Sequence, residues 1–119
     1  MATAVPNELT MSLFAHPNDF DRKRIERALK ARKRYRYVTP SVAAVTNGYR
    51  IEAPCCSRNT DPDGGVVDVA LLLYDEDAAA WQLFRKDHSS ATWEFHSNHG
   101  RLVELLDQLN IDAGREFWQ

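Results

Sequence analysis

The sequence lacks the features that define several classes of protein. Its longest unbroken apolar run, residues 69–74, is far too short to cross a bilayer, so no membrane partner is expected. The N-terminal residues show neither the basic nor the apolar segment of a secretory signal. Glycine-rich nucleotide motifs, a nucleophile elbow and Cys-x-x-Cys metal ligands are also missing. These absences predict a cytoplasmic protein without a cofactor or a metal.

Cysteine is scarce, and the only two cysteines, Cys55 and Cys56, are neighbours. Adjacent cysteines bridge each other only with strain, because their Cβ atoms normally diverge. We therefore expect both side chains to be reduced thiols, as in cytoplasmic proteins.

The remaining composition is typical of a folded domain. The chain has 119 residues, of which 44% are hydrophobic and 27% charged, which is enough for one hydrophobic core. No linker or internal repeat divides it. Residues 1–18 contain two prolines and no periodic pattern, so we expect a loosely ordered N-terminal arm. Residues 19–119 are expected to form a single α+β domain.

The net charge of −2 hides a strong asymmetry along the chain. Residues 22–36 hold nine Lys or Arg against one acid, whereas the other residues hold six Lys or Arg against sixteen acids. The protein therefore combines one basic segment with an acidic body.

The basic segment is predicted to be a helix that begins at Asn18 or Asp19 and runs to about Arg34. At 100° per residue, Ile25 and Leu29 share the buried face. One row of cations lies on the opposite face and spans roughly 16 Å. This basic stripe consists of Lys23, Arg27, Lys30 and Arg34. It is either a solvated helix back or a surface for phosphates or an acidic partner, flanked by Arg24 and Lys33.

After this helix, residues 66–74 are nearly continuously apolar, which predicts a central strand buried on both faces or a long edge strand packed by helices. Together with four other segments they make five predicted strands. They cover residues 41–46, 49–53, 66–74, 81–86 and 92–96. The dipeptide Asn47-Gly48 predicts a two-residue hairpin turn in which both residues have positive φ. Trp81 and Trp93 are expected to pair across neighbouring strands.

A second helix is predicted to begin near Ser97 or Asn98 and to stop at Gly114. Its leucines recur at helical spacing, and the aromatic end after it is expected to fold back on the domain. The fold class is therefore α+β: a five-stranded antiparallel meander flanked by an N-terminal basic helix and a C-terminal amphipathic helix.

The long loop at residues 54–68 concentrates polar chemistry. Its pattern Asn59-x-Asp61-x-Asp63-Gly64 matches the first half of a calcium loop, but Ala70 stands where a bidentate Glu is needed. Turn formation by Asp, Asn and Pro explains the same residues. A possible loop site consists of Cys56, Arg58, Asn59, Asp61, Asp63 and Asp68.

An enzyme at this loop would need a histidine beside a nucleophile such as Cys56 or Ser57. His88 and His96 are the candidate partners, and the sequence leaves open whether the protein is an enzyme. Zinc bound by His96 and His99 is disfavoured, since two adjacent cysteines make a poor ligand pair.

Four segments resemble a family of small uncharacterised bacterial proteins, a domain-of-unknown-function family with a Cys-Ser-Arg-Asn-x-Asp-Pro-Asp-Gly-Gly loop. The segments are the basic run 32–38, the loop 56–70, the strand 81–88 and the terminal Arg-Glu-Phe-Trp at 115–118. The resemblance implies a bacterial, cytoplasmic, single-domain protein. It implies no activity and transfers no site residue.

Two functions follow as expectations. The first is a small cytoplasmic binding or regulatory module whose basic stripe contacts nucleic acid or an acidic protein. Four neutralised phosphates would give a log–log salt slope of about −3 to −4. The alternative is an enzyme, ligand or metal site centred on the loop. Dimerisation through the sheet edge or the aromatic end is a third possibility, and the sequence does not predict the oligomeric state.

Overall fold

The structure is a computed structural model that describes residues 15–32, 39–54 and 65–118. Helix α1 spans Asp19–Ala28 and continues as a short 3-10 turn, Leu29–Ala31. Five strands follow, and helix α2 completes the domain. The strands are β1 (Ser41–Val45), β2 (Gly48–Pro54), β3 (Val66–Asp75), β4 (Ala80–Asp87) and β5 (Thr92–His99), and α2 spans Leu102–Ile111.

Each strand pairs antiparallel with the next, and the sheet order is β1-β2-β3-β4-β5. Such a meander can be joined by short reversals, as it is between β1 and β2, β3 and β4, and β4 and β5, whereas residues 55–65 separate β2 from β3 in the sequence. The nearly continuous apolar segment forms β3, the central strand. The predicted α+β fold, with five antiparallel strands between two helices, is confirmed.

Both helices pack against the same face of the sheet. Ile25 and Leu29 from the first helical segment and Leu105 and Leu109 from α2 have no exposed surface. They join one core cluster with sheet residues that include Ile51, Leu72 and Leu83. The helical spacing of these leucines therefore predicted the correct buried stripe.

Helix α1 begins as the sequence indicated. The Asn18 side chain caps it by accepting a hydrogen bond from the backbone N–H of Asp21 at 2.8 Å. The α-helix ends at Ala28 rather than near Arg34, and the backbone is extended at Arg32. Arg34 itself lies outside the described residues.

The first hairpin turn differs by one residue from the prediction. Val45 pairs with Gly48, so the two turn residues are Thr46 and Asn47, and Asn47 has a φ of 65°. Gly48 already belongs to β2. Its lack of a side chain serves packing instead, because a Cβ there would overlap the backbone carbonyl of Leu72.

The predicted pairing of Trp81 with Trp93 is wrong. Trp81 pairs with His99, while Trp93 pairs with Lys86, and the two indoles lie on opposite faces of the sheet. Trp93 therefore lies opposite a residue five positions after Trp81 in β4, because strand register and not side-chain type sets the pairing.

Helix α2 starts later and ends earlier than expected. Ser97 and Asn98 belong to β5, because that strand continues to His99, and the helix begins at Leu102. Asp112, with a φ of 43°, provides the left-handed residue that ends the helix, not Gly114. In the described part of the chain, no helix is both long and apolar enough to cross a membrane.

The aromatic end folds back as predicted. Trp118 is 2% exposed and donates its indole N–H to the backbone carbonyl of Leu109 at 2.8 Å. Phe117 is also buried. The last described residues therefore belong to the core of the domain.

Candidate functional site: a cationic groove beside α1

The basic stripe occupies the exposed side of α1 in the described residues. Lys23, Arg27 and Lys30 are all exposed. Ile25 and Leu29, between them in sequence, are buried on the opposite side. Lys30 follows Lys23 by seven positions, which places the two residues about 10 Å apart along the axis. The predicted fourth member, Arg34, and the flanking Lys33 lie outside the described residues.

These cations border a groove of about 520 Å³ between α1 and the chain that enters β1. Thr39 and Pro40 form part of its wall. The rest of the lining comes from α1, the 3-10 turn and the residue after it, and comprises Lys23, Glu26, Arg27, Lys30 and Arg32. Four cations therefore surround a concave surface that contains one carboxylate, and a concave wall focuses their field.

Asp19 and Glu26 of α1 form their shortest ion pairs with Arg22, which does not line the groove. Arg22 lies 2.9 Å from Asp19 and 3.1 Å from Glu26, so its charge is compensated on the helix surface. The same contact with Arg22 lowers the pKa of Asp19 and raises that of Arg22. Lys23 also pairs with Asp19, but the two charged atoms are 3.7 Å apart and both side chains are exposed, so this ion pair is weak.

Two groove cations are left uncompensated. Among residues 15–32, 39–54 and 65–118, no carboxylate forms an ion pair with Arg27 or Lys30. The flanking Arg24 differs, since it lies 3.7 Å from Asp21. The groove therefore presents a net positive charge that can accept an anion.

Arg32 lies at the buried end of this surface and is 4% exposed. Its Nη1 donates a hydrogen bond to the backbone carbonyl of Leu29 at 2.9 Å. Its guanidinium carbon lies 5.0 Å from the centroid of the Trp118 ring, a cation–π contact. The aromatic end of the chain thus fixes the position of one groove cation.

Asp68 is the only member of the predicted loop site among the described residues. Asp68, in β3, accepts a hydrogen bond from Lys86 Nζ at 3.0 Å and lies 3.6 Å from Arg50. Its carboxylate is thus occupied by ion pairs on the sheet face opposite the helices. The other five residues, Cys56, Arg58, Asn59, Asp61 and Asp63, lie outside the described residues.

The two histidines considered as partners for that loop differ in environment. His88 is exposed in the turn between β4 and β5. The side chain of His96 is 17% exposed, and the C-terminal segment covers its ring. Across the described ranges, no three His, Cys, Asp or Glu side chains are arranged to hold a metal ion.

A group of hydrogen-bonded side chains around His96 was not predicted. His96 Nδ1 lies 2.8 Å from the Ser97 hydroxyl, which lies 2.8 Å from His99 Nε2. His96 Nε2 lies 3.1 Å from Glu116 Oε2. The sequence placed Ser97 at a helix start, so these residues were not expected to meet.

A second unexpected cluster surrounds His16, whose side chain is 4% exposed. His16 Nδ1 lies 2.8 Å from the Tyr49 hydroxyl, and its ring packs on Trp81 with centroids 4.6 Å apart. Burial lowers the pKa of His16, although Asp21 and Glu76 oppose the shift, and burial also raises the pKa of Tyr49. His16 and Asn18 of the predicted arm therefore contact the sheet, and residues 1–14 lie outside the described residues.

Fold and site together define a small α+β domain with a cationic groove beside its first helix. Residues 13–119 match the model of DUF3024, a domain of unknown function, and the chain belongs to this family. The predicted resemblance to an uncharacterised domain family is thereby confirmed. No curated protein and no solved structure matches the chain significantly.

Proposed function

We propose that this protein is a small binding module that holds the phosphate backbone of a nucleic acid in the groove beside α1. The observation that carries the proposal is the pair of groove cations, Arg27 and Lys30, that no described carboxylate compensates. Unpaired cations on a concave surface attract polyanions and release their counterions. The protein would act in the cytoplasm of a bacterium, where the thiols of Cys55 and Cys56 stay reduced.

The geometry supports contact with a short stretch of backbone rather than a long footprint. The groove cations extend over about 10 Å of helix, and the rest of the chain is acidic. A long duplex laid across the domain would meet repulsion outside the groove. Binding should therefore be weak at physiological salt and insensitive to base sequence, since phosphate contacts carry no sequence information.

Fluorescence anisotropy with labelled single-stranded and duplex oligonucleotides tests the proposal. Three phosphates neutralised by Lys23, Arg27 and Lys30 predict a log–log salt slope of about −2 to −3, and a fourth at Arg34 brings it to about −3 to −4. The double variant Arg27→Ala/Lys30→Ala should weaken binding at low salt and make the slope less negative by about 1.5 to 2.

A charge-matched control separates the groove from the net charge of the protein. The variant Arg101→Ala/Arg115→Ala also removes two cations, both exposed and both outside the groove. It should bind like the unmodified protein. Equal losses in the two double variants, or no binding by the unmodified protein at low salt, would contradict the proposal. Preferential capture of an acidic peptide by the same residues would reassign the partner to an acidic protein.

A further inference from the structure

Ser97 lies between two imidazoles, and one of them contacts a carboxylate. The Ser97 Oγ atom is 2.8 Å from His96 Nδ1 and 2.8 Å from His99 Nε2. The other nitrogen of His96, Nε2, is 3.1 Å from Glu116 Oε2. A hydroxyl, an imidazole and a carboxylate in this order are the components of an activated nucleophile.

The hydrogen bonds have one consistent direction when His96 is neutral and Glu116 is ionised. Glu116 can only accept, so His96 carries its proton on Nε2 and its Nδ1 is a free acceptor. The Ser97 hydroxyl must then donate to Nδ1. His99 completes the set by donating its Nε2–H to Ser97 Oγ, which leaves one lone pair of that oxygen for attack.

A strand irregularity makes this contact possible. Neighbouring residues of a regular strand point to opposite faces, so His96 and Ser97 would normally be separated by the sheet. The β4–β5 register shifts between Leu83 and Phe84, which pair with Ser97 and Phe95 and leave His96 as the extra residue. Both side chains can therefore lie on the helix side, together with His99.

The C-terminal segment fixes the carboxylate. Asp112 accepts a hydrogen bond from the backbone N–H of Glu116 at 2.8 Å. Arg85 lies 3.7 Å from the second oxygen of Glu116 and also pairs with Glu94 at 2.9 Å. The ring of Phe117 packs on His96 with centroids 5.0 Å apart. The imidazole is thus held by contacts on several sides while Ser97 is only half-buried.

From this geometry we propose that Ser97 is a nucleophile for carboxylic esters, with His96 as its general base and Glu116 as a positioning residue. Ser97 Oγ attacks the ester carbonyl carbon, and its proton passes to His96 Nδ1. The bond to the alcohol then breaks, and the alcohol leaves with that proton. Water attacks the acyl-serine, gives a proton to His96 and releases the acid, and the proton on His96 returns to Ser97. This activity is independent of the proposed nucleic-acid groove.

An alkyl fluorophosphonate tests the nucleophile in the unmodified protein. Ser97 Oγ would form a bond to phosphorus while fluoride leaves, and the hydroxyl proton is lost through His96. Intact mass and peptide mapping should show one adduct, on Ser97, together with measurable p-nitrophenyl acetate hydrolysis. No adduct, or an adduct on another residue, overturns the proposal without requiring any variant to fold.

Variants then test the role of each partner. Ser97→Ala and His96→Gln should abolish labelling, whereas His99→Gln should retain most of it, because its amide can still donate to Ser97. Ser90→Ala is the matched control, since the Ser90 hydroxyl lies 2.8 Å from the Asp87 carboxylate with no imidazole between them. Labelling that survives His96→Gln overturns the proposal.

The role of Glu116 is tested by the labelling rate of folded protein. That rate would not change if the carboxylate only stabilised the fold. Glu116→Gln keeps the size of the side chain and removes its charge. The labelling rate should fall about tenfold or more while the melting temperature stays within error of the unmodified protein. An unchanged rate, or a rate that falls only in proportion to a loss of folded protein, overturns the assignment of Glu116.

Discussion

The carboxylate of Asp112 accepts a hydrogen bond from the backbone N–H of Trp118, with the two atoms 2.9 Å apart. The same carboxylate accepts hydrogen bonds from the backbone N–H groups of Glu116 and Phe117. Asp112 is 2% exposed, so this one side chain organises the end of the chain inside the core. Through Trp118 it supports Arg32 in the groove, and through Glu116 it supports the cluster at Ser97.

Replacing Asp112 tests this organisation. Asp112→Asn keeps the side-chain size and the tolerance for the left-handed backbone but removes the negative charge and one acceptor. Hydrogen bonds to charged groups contribute about 1.5 to 3 kcal/mol each, so we expect a loss of about 2 to 3 kcal/mol in the free energy of unfolding. Urea unfolding measures it.

Asp107→Asn is the control for Asp112. Asp107 lies on the same helix, α2, and is exposed, so the same chemical change should alter stability by less than about 0.5 kcal/mol. Equal effects of the two substitutions would show that the Asp112 carboxylate does not hold the C-terminal segment.

Gly48 and Gly100 form a natural pair for testing close backbone packing. A Cβ at Gly48 would overlap the carbonyl of Leu72, which cannot retreat without disturbing the β2–β3 pairing. We expect Gly48→Ala to destabilise the protein by about 3 kcal/mol or more. Gly100 has no atom within 4 Å of its hypothetical Cβ, so Gly100→Ala should be nearly neutral. Thermal unfolding measures the stability of both variants. A Gly48→Ala protein as stable as the Gly100→Ala protein would contradict the close packing at Gly48.

The burial of His16 predicts a pH dependence of stability. Burial lowers the pKa of His16 in the folded protein, so the unfolded chain binds more protons between that pKa and about 6.5. The stability that depends on neutral His16 is therefore fully present above about pH 7. The free energy of unfolding declines as the pH falls through about 6.5. One such group contributes at most about 1.4 kcal/mol per pH unit. His99, whose pKa burial also lowers, acts in the same direction.

Urea unfolding at pH 7.5 and pH 5.5 measures this effect. His16→Gln should reduce the difference between the two pH values, while His88→Gln should leave it unchanged because His88 is exposed in a turn. A pH dependence that is the same in both variants would mean that His16 is not the buried group responsible.

Local patterns predicted most of the fold. Helical spacing of apolar residues identified the buried side of each helix, because helical periodicity depends only on sequence distance. These residues are Ile25 and Leu29 in the first helical segment and Leu102, Leu105, Leu106 and Leu109 in α2. Errors concentrate where partner strands decide the outcome. The position of Gly48, the separation of Trp81 from Trp93 and the inclusion of Ser97 in β5 all depend on register, which no single segment encodes.

The groove beside α1 was likewise predictable in part from local patterns and in part only from the folded chain. The exposed row of Lys23, Arg27 and Lys30 was predictable, since the cations share one side of a helix whose other side is apolar. The lack of a described carboxylate partner for Arg27 and Lys30 was not predictable, because it depends on where Asp19 and Glu26 direct their side chains. The groove wall at Thr39 and Pro40 comes from chain folding after the helix.

The element types, the apolar stripes and the separation of a basic helix from an acidic body could be predicted from residue order, because each is a property of local segments. Which polar groups meet depends on the folded chain. Ser97 and Glu116 are far apart in sequence, and they come together through His96 because one strand is irregular and a buried Asp112 fixes the chain end. Long-range contacts of this kind depend on register and packing, which are properties of the whole folded chain.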